Sequence, residues 1–214
     1  MDGRRASGFG ASPVGGATPN LTRPNRNALS SRHARWSANA EVVWVGGAGG
    51  GLDGPAHGLY PAACHRLQDA RMAGLRLYYR FPNDLPQRVL DTMLGVKFLR
   101  AQGVRQIALV GHSFGGAVVI TAAAVSPQVQ AVVAMFTQTA GTDLTPQLTP
   151  RSLLLIHGDD DEVLPDRCSR QVFGLAKEPK ELVIYRGAWH GLDECREELP
   201  DLLVAWIPFH LHKE

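Results

Sequence analysis

The sequence predicts an α/β fold: one mostly parallel sheet of about six strands, with helices on both faces. Three observations carry that prediction. Short apolar runs alternate with helical patterns six times between residues 41 and 210. A run of glycines follows the first apolar run directly. Finally, Gly111-His112-Ser113-Phe114-Gly115 stands between the apolar run Ile107-Ala108-Leu109-Val110 and a small-residue apolar segment, 116–125. That is the strand–turn–helix setting a G-x-S-x-G serine needs.

The chain has 214 residues, enough for one domain with a sizeable core. Its 44% hydrophobic and 20% charged residues are those of an ordinary globular protein. The net charge of +2 hides an asymmetry: residues 1–40 hold six arginines and one acid, so the remainder is mildly acidic. Nothing in that remainder reads as a nucleic-acid footprint. Three scattered cysteines, Cys64, Cys168 and Cys195, suit a reducing compartment and provide no disulfide or zinc framework. No apolar run approaches the roughly 20 residues needed to span a bilayer, and no period repeats. The expected location is cytoplasmic.

Residues 1–38 are rich in Gly, Ser, Pro, Asn, Ala and Arg. Such a composition buries too little surface to offset ordering entropy, so a disordered tail is expected ahead of a domain at 39–214. An Arg-rich, acid-poor stretch is also how an organelle transit peptide reads, and both readings stay open.

Residues 41–45 form the first strand, and 46–51 read Gly-Gly-Ala-Gly-Gly-Gly. No Lys follows to complete a phosphate loop, and the dinucleotide spacing is not met, so no cofactor is expected. A helix is expected over 55–73 with Pro55 in its first turn and Gly74 as its cap. A strand over 75–81 follows, then a helix over 85–102 with Asp84 as its cap and Gly103 at its end. After the Ser113 turn and its helix come strands at 129–136, 152–156 and 181–185. Helices are expected over 166–176 and 193–210. The polar connection 137–151 is too short for a lid domain. No clear strand precedes Glu41, so a minimal sheet is expected.

Three motifs, each just after an expected strand, now stand in order: G-H-S-F-G-G at 111–116, H-G-D-D-D-E-V-L-P at 157–165, and G-A-W-H-G at 187–191. Together they make residues 41–210 resemble the α/β-hydrolase superfamily, close to its dienelactone-hydrolase-like and small-esterase branch. The resemblance implies that fold without a lid. Dienelactone hydrolases use a cysteine nucleophile; here Ser113 holds that place.

A serine hydroxyl is a poor nucleophile at neutral pH and needs an adjacent base. His190 is the candidate base, and a carboxylate behind its ring must fix the tautomer. The superfamily spacing in the 157–165 motif lands on Asp161, with Asp159 and Asp160 read as a solvated turn and Asp143 as a remote alternative. The oxyanion donors are expected to be two backbone amides: that of Phe114 and one from the glycine run. The superfamily's H-G-x pattern puts Ala48 in the donor position, with Gly46 where a histidine is common; Gly47 stays open beside it. His157 reads as a hydrogen-bonded structural residue, and His112 as lining or underlying the pocket. His57 and His65 read as helix residues without an acid partner, so no metal site is expected. The cysteines read as small apolar fillers.

The sequence thus points to a serine hydrolase cleaving an ester or related acyl bond of a small to medium soluble substrate. A thioesterase or peptidase on the same machinery, or a ligand-sensing protein that keeps the three residues, stays open.

Overall fold

The computed structural model describes residues 39–211. The 1–38 stretch read as a tail or transit peptide lies outside the described residues. Among the described residues, six strands form one sheet in which every pairing is parallel. They are β1 Ala40–Val45, β2 Ala73–Leu77, β3 Gln106–His112, β4 Val129–Met135, β5 Ser152–Gly158 and β6 Lys180–Tyr185. The helices are α1 Leu59–Leu67, α2 Leu85–Ala101, α3 Phe114–Val125, α4 Arg167–Leu175 and α5 Glu198–Leu211.

The central strands are near-continuous apolar runs because both of their faces are covered. Val42 and Trp44 of β1, Ala108 and Val110 of β3, and Leu154 and Ile156 of β5 pack with α1 and α5. Their neighbours Val43, Val45, Ile107, Leu109, Leu153 and Leu155 pack with α2, α3 and α4. One residue of slip in any of these strands would exchange the two layers.

The strand order is β2-β1-β3-β4-β5-β6. The chain leaves β1 toward β2 and, from β3 onward, builds outward on the other side. The connections therefore diverge between β1 and β3. In open parallel sheets a crevice forms outside the strand C-termini at such a point, and ligands bind there. Here that crevice lies between the glycine run after β1 and Ser113 after β3.

Several local expectations need correction. The second strand is Ala73–Leu77, not 75–81. It is an edge strand paired only with β1, from Glu41↔Ala73 to Val45↔Leu77, and it stops where β1 turns into the glycines. Gly74 is accordingly a strand residue and not a helix cap. It is needed for close approach, since a Cβ there would sit 2.4 Å from Cys64 Sγ and 2.6 Å from Trp44 Nε1. Helix α1 begins at Leu59, not at Pro55. Residues 55–58 turn instead, with Ala56 and His57 both at φ 51°, and the Ala56 amide donates to the Gly191 carbonyl at 2.8 Å. A tertiary tie to the loop carrying His190 overrides the local helical pattern. His57 therefore stands outside the helix and, against expectation, meets an acid: its Nε2 is 3.4 Å from Asp193 Oδ1.

The last helix is also shorter than the 193–210 expected: a 3-10 turn, Asp193–Cys195, stands ahead of α5, which begins at Glu198. Asp84 caps α2 by accepting from the Gln87 amide at 2.9 Å. Among the described residues, the β4–β5 connection holds one 3-10 turn, Thr145–Gln147, and no inserted domain.

Candidate active site

The turn between β3 and α3 sets Ser113 at φ 57°, ψ −123°, a conformation that costs a non-glycine residue energy and persists only where the surroundings enforce it. They do so here. A Cβ on Gly111 would lie 2.2 Å from the Gly115 carbonyl oxygen, and one on Gly115 would lie 2.5 Å from that of Gly46. Only glycines let the strand, the helix and the end of β1 close up around the turn. The Ser113 amide donates to the Met135 carbonyl of β4 at 2.8 Å, tying the turn to the sheet.

Ser113 Oγ lies 3.0 Å from His190 Nε2. The opposite ring nitrogen, Nδ1, lies 2.8 Å from Asp161 Oδ2. The structure thus brings together three residues spread over 77 positions, and it selects Asp161 from three consecutive acids. Asp161 has a fully buried side chain. Asp159 is exposed and accepts from the Gly187 amide at 2.6 Å; Asp160 is exposed on the same turn. Asp143 is exposed in the β4–β5 connection.

Asp161 is held by more than His190. Its Oδ1 accepts from the amides of Val163 and Leu164, both at 2.8 Å. Its Oδ2 also accepts from His157 Nε2 at 3.1 Å. Burial alone would raise the carboxyl pKa, but the bond to His190 and the two amides outweigh it and hold the group below the usual carboxylate range. His157 is fully buried, stacked on Phe136 at 4.6 Å. Its Nε2–H is shared between Asp161 and the Leu164 carbonyl, and Nδ1 accepts from the Ser169 hydroxyl at 2.6 Å. Burial lowers its pKa, consistent with a neutral ring in a structural role.

The His190 backbone is clamped from both sides. Its amide donates to Glu162 Oε2 at 3.1 Å, and its carbonyl accepts from His112 Nε2 at 2.9 Å. Since a carbonyl only accepts, His112 carries its proton on Nε2. Burial and the neighbouring His190 push the His112 pKa down to about 4. Between pH 6.5 and about 4 an unfolded chain therefore takes up a proton at this position that the folded chain refuses. By linkage, stability should fall as pH drops through that window, by about 3 kcal/mol from this group. His112→Gln should flatten the acid side of the stability–pH curve, read by urea unfolding at a series of pH values. His157 keeps part of the slope, because its shift has the same sign.

The glycine run folds back on itself, with the Gly50 amide donating to the Gly47 carbonyl at 2.8 Å. Gly47 abuts the turn: a Cβ on it would lie 3.5 Å from Ser113 Cβ. Ala48 stands at the loop tip and Phe114 opens α3. The amides of Gly47 and Ala48 thus belong to the loop beside Ser113, and that of Phe114 to the first turn of the helix behind it. The loop, Leu52, Asp53, Val163 and His190 line an open cleft of about 490 Å³ with Ser113 at its floor. Among the described residues no His, Cys, Asp or Glu cluster is arranged to hold a metal ion, and no helix is long and apolar enough to cross a membrane.

Sequence reasoning passed over two side chains here. Glu162 was hidden as one more acid in a run of four. Arg88 packs against the back of the glycine loop. Its one signal was its register: it shares the buried face of α2 with Val89, Thr92, Val96 and Leu99.

Residues 62–202 match the dienelactone hydrolase family. The chain belongs to that family. The match spans Ser113, Asp161 and His190 while leaving the glycine loop outside. The uncharacterized protein YfhR of Escherichia coli (strain K12) is 33% identical over 73 residues, which are 31% of this chain and 26% of that protein. The match thus covers about a quarter of that curated relative's length. Among solved structures, Est1E from Butyrivibrio proteoclasticus superposes with a TM-score of 0.70 at 18% identity, over 81% of this chain and 88% of its own. A dienelactone hydrolase from Anabaena variabilis gives 0.70 at 20% identity, over 82% and 88%. At such identities the likeness is one of fold, and it is the α/β-hydrolase fold expected from the sequence.

Proposed function

We propose that this protein cleaves an ester or related acyl bond through an acyl-enzyme on Ser113. The observation that carries the reading is the unbroken chain of hydrogen-bonding groups from Ser113 Oγ through both His190 nitrogens to Asp161.

In this reading His190 Nε2 accepts the Ser113 proton as Oγ attacks the acyl carbon, and the carbonyl oxygen becomes an oxyanion. The Asp161 carboxylate keeps the other proton on Nδ1 and stabilises the imidazolium. The amide of Phe114 and an amide of the Gly47–Ala48 segment donate to the oxyanion; each such donor is worth about 2.7–4 kcal/mol in the transition state. His190 then gives its proton to the leaving alcohol, and the C–O bond breaks. Water, deprotonated by the same imidazole, releases the acid and restores Ser113.

The cleft is open, and its rim carries two exposed aliphatic side chains, Leu52 and Val163. We therefore place small to medium acyl compounds above long lipids as substrates. The unpaired thiols of Cys64, Cys168 and Cys195 suit a reducing, cytoplasmic setting. The test is hydrolysis of p-nitrophenyl esters from acetate to palmitate. Acetate to hexanoate should turn over with a burst of nitrophenol, and kcat/KM should fall at least tenfold by palmitate. No turnover with any chain length would overturn the reading.

A further inference from the structure

Arg88 is completely buried, yet its partners among the described residues are carbonyls and rings. Its Nη2 donates to the Gly46 carbonyl, and its Nη1 to those of Gly47 (3.0 Å) and Pro82 (2.8 Å). The guanidinium lies 4.0 Å from the Tyr79 ring centroid and 4.8 Å from that of Phe114. A buried cation without a carboxylate beside it is costly, and the fold has more economical ways to satisfy three carbonyls. What Arg88 touches suggests why it is kept.

A trans peptide points its C=O and its N–H in opposite directions. The Gly46 carbonyl shares a peptide plane with the Gly47 amide, and the Gly47 carbonyl shares one with the Ala48 amide. A side chain that holds both carbonyls therefore sets the direction of both amides. The Gly47 carbonyl is held a second time, by the Gly50 amide. The same guanidinium lies against Phe114, whose amide is the other proposed donor. We propose that Arg88 is a positioning residue for the oxyanion hole: from behind the loop it orients the Gly47 and Ala48 amides toward the cleft and couples them to the Phe114 turn. A cation on the carbonyl end of a peptide also polarises its N–H, so each amide becomes a stronger donor where charge develops. The inference rests on Ser113 being the nucleophile.

The experiment compares wild type, Arg88→Met and Arg88→Lys on p-nitrophenyl butyrate. It reads kcat and KM separately, with active sites titrated by a fluorophosphonate. The affinity of a trifluoromethyl ketone, whose serine adduct carries an oxyanion, is measured alongside that of butan-1-ol, an uncharged alcohol. Methionine keeps an unbranched chain, two atoms shorter, and removes the charge and the fork. It should lower kcat about 100-fold with KM within about threefold, and weaken the ketone by a similar factor while leaving the alcohol unchanged. Lysine keeps the charge but cannot span both carbonyls, and should recover about tenfold of that loss. If Arg88→Met does not fold, Arg88→Lys decides: a kcat about tenfold below wild type with unchanged KM supports the proposal. Wild-type kcat and ketone affinity per titrated site, in either variant, overturn it while leaving the Ser113 reading intact. A wild-type protein that neither hydrolyses the ester nor takes the fluorophosphonate sinks both.

Discussion

Ser113→Ala should lower kcat for p-nitrophenyl butyrate by about 10⁵–10⁶-fold while leaving the fold in place. The substitution removes a single oxygen. It keeps the Cβ that sits against Gly47, and it keeps the Ser113 amide bond to Met135. Alanine meets the same backbone cost at φ 57° as serine does, so the melting temperature should move by only a few degrees. His190→Ala should give a comparable loss, and the double variant should be little worse than either single one. A nucleophile and its base act as one unit, so their removal does not add. A Ser113→Ala enzyme that retains more than about one percent of wild-type kcat would move the chemistry to another residue.

Asp161→Asn should lower kcat by about 10⁴-fold, whereas Asp159→Asn and Asp160→Asn should stay within about threefold. Each oxygen of Asp161 accepts two N–H groups: Oδ1 from Val163 and Leu164, Oδ2 from His190 and His157. An asparagine has one acceptor and one NH₂ group. Whichever way it turns, it either presents donors to two backbone amides or presents them to the two imidazoles. In the second case His190 is driven to the tautomer with its proton on Nε2, which cannot accept from Ser113. The Asp161 carboxyl is held below its usual range, so its contribution to stability is present above the ordinary carboxylate pKa. That contribution is lost as pH falls through the lowered folded value. Asp161→Asn should remove this part of the acid sensitivity, measured by thermal unfolding between pH 3 and 7. Equal activity losses at positions 159, 160 and 161 would mean that the turn as a whole, and not one carboxylate, matters.

The parts of this molecule that sequence could forecast are those dictated by local chemistry. The Gly111–Gly115 turn was legible because its glycines meet backbone at under 3 Å, and no other residue fits there. Strands β3, β4 and β5 were legible because each is buried on both faces over most of its length and so carries a central apolar run. Asp161 came from the resemblance to the superfamily's motif and not from local chemistry; of the three acids, it is the one whose side chain lies against His190. What sequence did not forecast depends on partners distant in the chain. The end of β2 is set by where β1 stops, and the start of α1 by the Gly191 carbonyl. Arg88 escaped notice because an arginine on a helix is ordinarily solvated. Its burial becomes intelligible only once the Gly46 and Gly47 carbonyls are seen beside it.

The central claim is that an acyl group passes through the Ser113 oxygen, and it can be caught there directly. Wild-type protein mixed with p-nitrophenyl butyrate and quenched in acid within the burst should gain the mass of one butyryl group, carried on the peptide that contains Ser113. An adduct on another residue, or hydrolysis at full rate with no adduct at any quench time, would contradict the account.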